Sequence, residues 1–290
     1  MRFISFRDKS NLGLAVKAQD GTYRGWRDGE DGYPGCLERI IEDGAEALSA
    51  AGAALAKGPV VDTASVNLLP PLCRPPKIIC VGLNYADHTA ESNYDQPDYP
   101  ALFARFNSSL VGHDAPIVRP QSSDTLDYEG ELVAIIGRGG RHIAEASALE
   151  YVAGYSLFND GSVREYQFKA PQWTIGKNFD GTGGFGPELV TADELPAGAC
   201  GLKLETRLNG EIVQSASTSA MIFDVASLIS IVSEALTLEP GDVIVTGTPA
   251  GVGFSRDPKL FMKSGDICEV EIEGIGVLRN PIVDEPLAAG

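Results

Sequence analysis

The chain has 290 residues, of which 43% are hydrophobic and 22% are charged, a composition typical of a globular protein with one large domain, alone or beside a small one. Its 40 acidic residues outnumber its 23 basic residues and give a formal net charge of -17, which argues against a nucleic acid or an anionic membrane as partner. Because no run of 18 apolar residues occurs, the sequence predicts no transmembrane helix.

The sequence predicts a cytoplasmic protein. Residues 1–7 contain no long apolar core and no small-residue cleavage pattern, so a signal peptide is not expected. The five cysteines are odd in number and share no disulfide or metal spacing. Reduced cysteines with structural roles are typical of the cytoplasm.

Residues 1–70 are predicted to form a small α/β domain. Short strands are expected over residues 3–6, 13–18 and 22–26, with turns between them. An Ala- and Leu-rich stretch from Leu37 to about Lys57 favours a helix, although Gly44 and Gly52 weaken that prediction. The prolines at 70, 71, 75 and 76 disfavour both helix and central strand, so they mark a linker.

Residues 71–290 are predicted to form a larger domain that is mainly β with some α, an α+β fold. Short apolar runs separated by Gly and Pro predict strands at 77–81, 131–136, 202–208, 243–246 and 267–272. Helices are fewer and are expected at 146–151, 162–168 and 225–236. This pattern predicts mostly antiparallel strands folded as a sandwich or a rolled barrel.

His88 and Glu91 are the first candidate catalytic residues along the chain. They follow a predicted strand and are three residues apart, so on a helical turn they share one face within hydrogen-bond reach. A histidine oriented by a carboxylate can activate a water molecule as a nucleophile. The alternative is a surface histidine paired with a nearby acid. The polar segment 88–99 is predicted to act as a lid that orders over a ligand.

Glu129 and Glu131 are the first candidate metal ligands. On a strand their side chains point to the same face, where two adjacent buried carboxylates need a compensating charge. Mg²⁺ and Mn²⁺ prefer oxygen ligands and can supply that charge. Asp160 ends a later apolar strand and is expected to be the third ligand. The alternative for the two glutamates is an exposed strand end with two solvated acids.

Three further side chains are candidate ligand contacts. Ser162 is expected to cap a short helix that carries Arg164 and Gln167 on one face, where they can contact an anion or a carbonyl group. Lys177 stands among apolar neighbours and can hold an enolate or carboxylate oxygen. The alternative for the residues of the short helix is a cap or a surface contact, and the alternative for Lys177 is a snorkelling surface lysine.

Two glycine-rich stretches have opposite interpretations. Gly247 and Thr248 follow an apolar strand, and the free backbone N–H groups and hydroxyls of this loop can cradle a carboxylate, although a tight structural turn is the alternative. Residues 181–186 formally match a dinucleotide-binding motif. Because Pro187 follows and no helical pattern comes after it, a dinucleotide site is rejected.

Taken together and in this order, five motifs resemble those of the fumarylacetoacetate hydrolase family over about residues 70–285. They are Asn84-Tyr85-Ala86-Asp87-His88, Asp127-Tyr128-Glu129-Gly130-Glu131-Leu132, Asp160-Gly161-Ser162-Val163-Arg164-Glu165-Tyr166-Gln167, Gly176-Lys177-Asn178-Phe179-Asp180 and Thr246-Gly247-Thr248-Pro249-Ala250-Gly251-Val252-Gly253. The resemblance implies a β-sandwich roll and a homodimer.

The resemblance also implies roles for individual residues. It implies that Mg²⁺ or Mn²⁺ binds a Glu-x-Glu pair and a later Asp, here Glu129, Glu131 and Asp160. The family's lysine and glutamine at the ligand correspond to Lys177 and Gln167, and its helix arginine corresponds to Arg164. Arg105 stands where many relatives carry a lysine. His88 and Glu91 correspond to the family's short-helix dyad.

The resemblance further implies a hydrolase that cleaves a C–C bond of a 2,4-dioxo acid and releases pyruvate. The separate N-terminal unit resembles longer bacterial members from sugar-acid and aromatic-ring catabolism. Their substrate is often a 2,4-dioxo acid, such as the diketo-deoxy acid of L-rhamnose or L-fucose breakdown, and sugar-derived and aromatic-derived substrates both stay open. His88 is expected to activate the water that attacks C4, while Lys177 and the metal stabilise the developing oxyanion. A decarboxylase or keto–enol isomerase acting on oxaloacetate-like acids remains open. A non-catalytic binding protein is disfavoured because metal ligands, base and cation all occur together.

Overall fold

The computed structural model describes residues 1–91 and 98–286. Over these ranges the fold is mainly β with short helices, as the sequence predicts. The strands in chain order are β1 Arg2–Asp8, β2 Asn11–Lys17, β3 Tyr23–Arg27, β4 Val60–Val61, β5 Asn67–Leu68, β6 Ile78–Gly82, β7 Ala101–Ala104, β8 Leu110–Val111, β9 Ile117–Arg119, β10 Leu126–Asp127, β11 Gly130–Ile136, β12 Val152–Asp160, β13 Ser162–Val163, β14 Gly183–Thr191, β15 Lys203–Leu208, β16 Glu211–Ser217, β17 Val243–Val245, β18 Ile267–Ile272 and β19 Gly276–Asp284.

The helices are short. The α-helices are α1 Leu37–Glu42, α2 Ala45–Leu55, α3 Ala86–Glu91, α4 Arg164–Gln167, α5 Thr174–Lys177 and α6 Val225–Ala235. The 3-10 helices are Asn107–Ser109, Glu145–Tyr151, Ala192–Glu194, Ala197–Ala199, Thr218–Ala220 and Gly253–Ser255. In the described ranges, no helix combines the length and the apolarity that crossing a bilayer requires.

Two sheets pack face to face. The large sheet has the strand order β4-β3-β2-β1-β14-β12-β11-β17-β6-β7, with β5 beside β1 and β8 beside β14. The smaller sheet has the order β16-β15-β18-β19-β9, and β10 pairs with β13 separately. Most pairs are antiparallel; β6 with β17, β8 with β14 and β9 with β19 are parallel. The sandwich that the sequence predicts is therefore present.

Strand β11 lies at the centre of the molecule and is buried along its whole length. Leu132, Ala134 and Ile136 pack into the core between the two sheets. Val133 and Ile135 point to the opposite face and pack into a core that includes α1 and α2. Since alternate residues face opposite sides of a strand, Glu131 continues the second of these faces at the strand's beginning.

The N-terminal residues supply strands β1–β5 and two helices. Strand β1 pairs with β14, so these strands extend the large sheet. The single helix predicted from Leu37 to about Lys57 is wrong, because Gly44 has a φ of +96° and separates α1 from α2. The boundary predicted at residue 70 falls between β5 and β6, and the division into two domains stays a prediction.

The other predicted elements are present with shifted ends. Residues 146–151 lie in a 3-10 helix rather than an α-helix. Ser162 does not cap α4, because it pairs in β13 and its hydroxyl donates to the Asp160 carbonyl at 2.7 Å. Residues 181–186 lead into strand β14 and open no helix, in agreement with the rejected dinucleotide motif.

Candidate active site

The three predicted metal ligands meet where β11 begins and β12 ends. Glu129 directly precedes β11, Glu131 lies in it, and Asp160 is the last residue of β12, which pairs with β11. Each offers a carboxylate oxygen, and these atoms lie within 4.8 Å of one another. All three side chains are buried. This all-oxygen donor set suits a hard divalent cation.

Seven buried charged side chains surround this point, and their charges do not cancel. Ionised, four acids and three bases carry a net charge of -1, and burying unmatched charge is costly. A divalent cation changes the net charge to +1, which suits an anionic ligand. The residues therefore fit a bound divalent cation. The seven side chains are Asp127, Glu129, Glu131, Asp160, Arg105, Arg164 and Lys177.

Lys177 contacts two of the three triad carboxylates. Its Nζ donates to Glu129 Oε2 at 2.7 Å and to Asp160 Oδ2 at 2.5 Å. Burial alone would raise the pKa of Glu129, but the charges of Lys177 and Arg164 outweigh it and lower that pKa to about 2. Two of the three ammonium protons are thereby used, and the third is available to a ligand in the adjoining cavity.

Glu131 has the opposite electrostatic environment. Burial, followed by the charges of Asp160 and Glu129, raises its pKa well above the usual range, and Lys177 offsets this only in part. The backbone N–H of Gly247 donates to its Oε2 at 2.5 Å. Glu131 is thus the carboxylate whose charge the protein's own cations balance least.

Arg164 organises its neighbours through three separate contacts. Its Nε donates to Asp127 Oδ2 at 2.8 Å, its Nη1 donates to Gln167 Oε1 at 2.8 Å, and its Nη2 lies 2.6 Å from Glu129 Oε1. The Gln167 carbonyl is thereby occupied, which leaves the amide group as a donor to the cavity that Gln167 lines. The sequence motif contains Asp127, but sequence reasoning gave it no role.

Arg105 lies behind Asp160 and supports it. Its Nη1 donates to Asp160 Oδ1 at 2.5 Å, and its Nε and Nη2 donate to Ser109 at 3.1 Å and Thr182 at 2.9 Å. The residue is only 3% exposed and is not among those that line the cavity. Its predicted contact with substrate stays a prediction.

His88 and Glu91 form the predicted pair on α3. His88 Nδ1 lies 2.9 Å from Glu91 Oε1, and both Glu91 oxygens accept from the backbone N–H of Gly251, at 3.1 and 2.9 Å. Since Nδ1 is engaged, Nε2 is the nitrogen left for proton transfer in the cavity that His88 lines. Residues 92–97 of the predicted lid lie outside the described residues.

The N–H groups of the loop after β17 donate to carboxylates of the protein itself. Besides the bonds to Glu131 and Glu91, the N–H groups of Gly253 and Phe254 donate to Asp127 at 2.8 and 2.9 Å. Thr248 Oγ1 donates to the Gly130 carbonyl at 3.0 Å and accepts from Gln214. Gly247 and Thr248 as substrate contacts stay predictions.

A cavity of about 220 Å³ lies against these residues. Seven of the predicted site residues line it, and the other four, Glu91, Arg105, Asp160 and Gly247, lie behind its surface. Two aromatic pairs, Phe103 with Trp173 and Phe168 with Phe254, form much of the remaining wall. Sequence reasoning missed them because no spacing signal distinguishes these rings from core residues. The lining predicted residues are His88, Glu129, Glu131, Arg164, Gln167, Lys177 and Thr248.

We expect Gly176→Ala to destabilise the protein by about 1–3 kcal/mol and to lower activity by displacing Lys177. A Cβ at Gly176 would lie 2.3 Å from the backbone nitrogen of Gln167, so α4 and α5 would have to separate. Urea unfolding and turnover measure the two effects. The control is Ile175→Ala in the same helix, because Ile175 is 61% exposed. Equal stability of the two variants would contradict the tight contact.

The fold and the site together define a class: a two-sheet α+β protein with a buried carboxylate triad that suits a divalent cation and, beside it, a histidine that lines the same cavity and is paired with a glutamate. A family model described as fumarylacetoacetate (FAA) hydrolase C-terminal matches residues 77–283. The chain belongs to the fumarylacetoacetate hydrolase family.

Relatives in this family carry names for different reactions. The human protein named oxaloacetate tautomerase FAHD2A, mitochondrial, is 40% identical over 289 residues, which cover 98% of this chain and 92% of the human one. A solved fumarylacetoacetate hydrolase from Exiguobacterium antarcticum has a TM-score of 0.84 at 38% identity, covering 98% of this chain and 100% of that one. Maleylpyruvate hydrolase from Sphingobium sp. SYK-6, solved with manganese (II) and pyruvate, has a TM-score of 0.80 at 27% identity, covering 99% and 100%.

Proposed function

We propose that this protein is a metal-dependent enzyme that interconverts the keto and enol forms of a small 2-oxo acid, with oxaloacetate as the first substrate to test. The observation that carries the proposal is the single cavity that Glu129, Glu131, Lys177 and His88 line, with Asp160 completing the triad and Glu91 holding His88 from behind its surface. The similarity to a human protein named oxaloacetate tautomerase over 98% of this chain supports the same reaction.

Glu129, Glu131 and Asp160 would hold the metal, which we propose to be Mg²⁺ or Mn²⁺. When bound, a divalent cation supplies the positive charge that stabilises negative charge developing on the C2 oxygen of a 2-oxo acid. Manganese is named with the Sphingobium hydrolase structure, which supports Mn²⁺ as one of the two candidates.

His88 carries the proton transfer in this proposal. Its Nε2 removes a proton from C3 of the keto acid, and the electron pair of the C3–H bond forms the C2–C3 double bond while the C2 oxygen becomes an enolate. Glu91 stabilises the imidazolium that results, because its carboxylate lies on Nδ1. The His88 imidazolium then gives up this proton, which reaches the enolate oxygen through solvent water, and this completes the enol and regenerates the base. Before that transfer, Lys177 donates its third N–H to the enolate oxygen as a hydrogen bond.

The size of the cavity favours a short substrate. Pockets for drug-sized ligands are about 300–1,000 Å³, and this cavity is about 220 Å³. A four-carbon acid such as oxaloacetate suits this volume better than a long diketo-deoxy sugar acid.

The second candidate function is hydrolysis of the C3–C4 bond of a 2,4-dioxo acid, with pyruvate as one product. The His88–Glu91 pair favours it, since the same Nε2 can take a proton from a water molecule that attacks C4. The fold similarity to the maleylpyruvate hydrolase adds support. Decarboxylation of oxaloacetate would use the same cations but requires no general base at this position.

The first experiment incubates the purified protein with oxaloacetate and follows the loss of enol absorbance, in Mg²⁺ or Mn²⁺ and then in EDTA. We expect metal-dependent tautomerisation that EDTA removes and added metal restores. Acetylpyruvate cleavage and CO₂ release are measured in parallel and separate the hydrolase and decarboxylase alternatives. Tautomerisation at the uncatalysed rate in both metals would reject the proposal. A homodimer and a cytoplasmic location remain predictions.

A further inference from the structure

Gly251 connects the His88–Glu91 pair to two side chains outside the cavity. Its N–H donates to both carboxylate oxygens of Glu91. On its other side, its carbonyl accepts from the Tyr128 hydroxyl at 3.1 Å and from Arg256 Nε at 3.0 Å. One residue thus links Tyr128 and Arg256 to the carboxylate that orients the histidine.

The backbone conformation at Gly251 is supported by contacts from other residues. Its φ is +104°, a conformation that favours glycine, and a Cβ would lie 2.2 Å from the Val213 carbonyl oxygen. Glycine has no side chain to restrict rotation, so hydrogen bonds to its carbonyl help to fix φ and ψ at this residue and thereby support the direction of its N–H. The Arg256 guanidinium also donates to the Val213 carbonyl and therefore joins the two backbone segments.

We propose that Tyr128 and Arg256 are positioning residues for the His88–Glu91 pair and act through Gly251. Neither side chain is among those that line the cavity, so neither is expected to touch substrate. Tyr128 is fully buried and directly precedes Glu129, one of the proposed metal ligands. This short segment therefore links the carboxylate triad to the His88–Glu91 pair. The kinetic part of this inference rests on the proposed function.

The expected consequence is a selective loss of turnover. If Gly251 rotates, Glu91 loses the one N–H that donates to both of its oxygens and no longer fixes the imidazole, while Glu129, Glu131, Asp160 and Lys177 keep their contacts. We therefore expect Tyr128→Phe and Arg256→Gln each to lower kcat about tenfold with little change in KM or in the Kd for Mn²⁺.

The matched control is Tyr155→Phe. Tyr155 is also buried, and its hydroxyl bonds to the backbone of Gly198, far along β12 from the site. This variant loses one buried hydrogen bond, so its Tm is expected to fall while its kcat stays at the wild-type value. In a Glu91→Gln background, adding Tyr128→Phe should cause no further loss of kcat, because the connection to His88 is already broken.

A second readout is independent of turnover. The His88 Nδ1–H proton, held by Glu91, should give a slowly exchanging NMR signal that His88→Gln identifies and that Tyr128→Phe and Arg256→Gln weaken. If Tyr128→Phe lowers only Tm, as the control does, and leaves kcat and this signal unchanged, the inference is overturned. Should Arg256→Gln fail to fold, Tyr128→Phe decides alone. If the wild-type protein shows no turnover, the proposed function fails, and the NMR signal still tests the positioning.

Discussion

Glu131→Gln is expected to abolish metal binding and to lower activity about a thousandfold, because the bound cation contributes several kcal/mol to the transition state. The same change should make the metal-free protein more stable at neutral pH. Glu131 is almost fully buried and its ionised form faces Glu129 and Asp160, so a neutral amide of the same shape removes a repulsion that the folded state otherwise contains.

The sign of the pH dependence follows from the raised pKa of Glu131. In the folded protein this carboxyl binds its proton more tightly than in the unfolded chain, so its contribution to stability is present at acidic pH and is lost as the pH rises through the folded-state pKa. The stability difference between Glu131→Gln and wild type, both metal-free, should therefore grow with pH. An increase of about 2–4 °C in Tm corresponds to 1 kcal/mol for a domain of this size.

Thermal unfolding with EDTA and with added Mn²⁺, together with titration calorimetry, measures these effects. Wild-type protein should gain stability from the metal, and Glu131→Gln should gain none. Glu165→Gln is the control, since Glu165 is an exposed acid on α4 and its replacement should change neither Tm nor metal affinity. A Glu131→Gln protein that still binds Mn²⁺ with wild-type affinity would exclude Glu131 as a ligand.

Sequence patterns predict the centre of this site because its residues lie on regular elements. The i, i+2 spacing of Glu129 and Glu131 on a strand and the i, i+3 spacings of His88 with Glu91 and of Arg164 with Gln167 each fix a shared face, and the structure has all three pairs close together. Apolar runs likewise predict the strands, since β11 is buried on both faces.

The supporting contacts could not be predicted in the same way, because they join segments far apart in sequence. Gln214 in β16 accepts from the Gly130 N–H and donates to Thr248, and Asp127 joins Arg164 to the loop at Gly253. These bonds depend on how the two sheets pack and on a loop conformation with positive φ at several glycines. No local spacing contains that information, so the sequence could not show that N–H groups of this loop donate to Glu131, Glu91 and Asp127.

His88→Gln is expected to lower kcat about 10²- to 10⁴-fold, the range over which general acid–base groups contribute. Mn²⁺ binding and the Kd of oxalate, a 2-oxo acid mimic, should stay near wild type, since the triad and Lys177 are unchanged. Stopped-flow turnover and calorimetry measure the two. The control is His142→Asn, because His142 is exposed and its positive φ of 53° is one that asparagine tolerates.

The substrates distinguish the roles open to His88. If His88 is the base at C3, the His88→Gln protein no longer catalyses tautomerisation of oxaloacetate. If His88 acts only on water, cleavage of acetylpyruvate is lost and tautomerisation persists, because a base other than His88 then takes the C3 proton while the metal and Lys177 stabilise the enolate. A His88→Gln protein with full activity on both substrates would exclude the His88–Glu91 pair from the chemistry, and the carboxylate triad with Lys177 would then account for all of the rate enhancement.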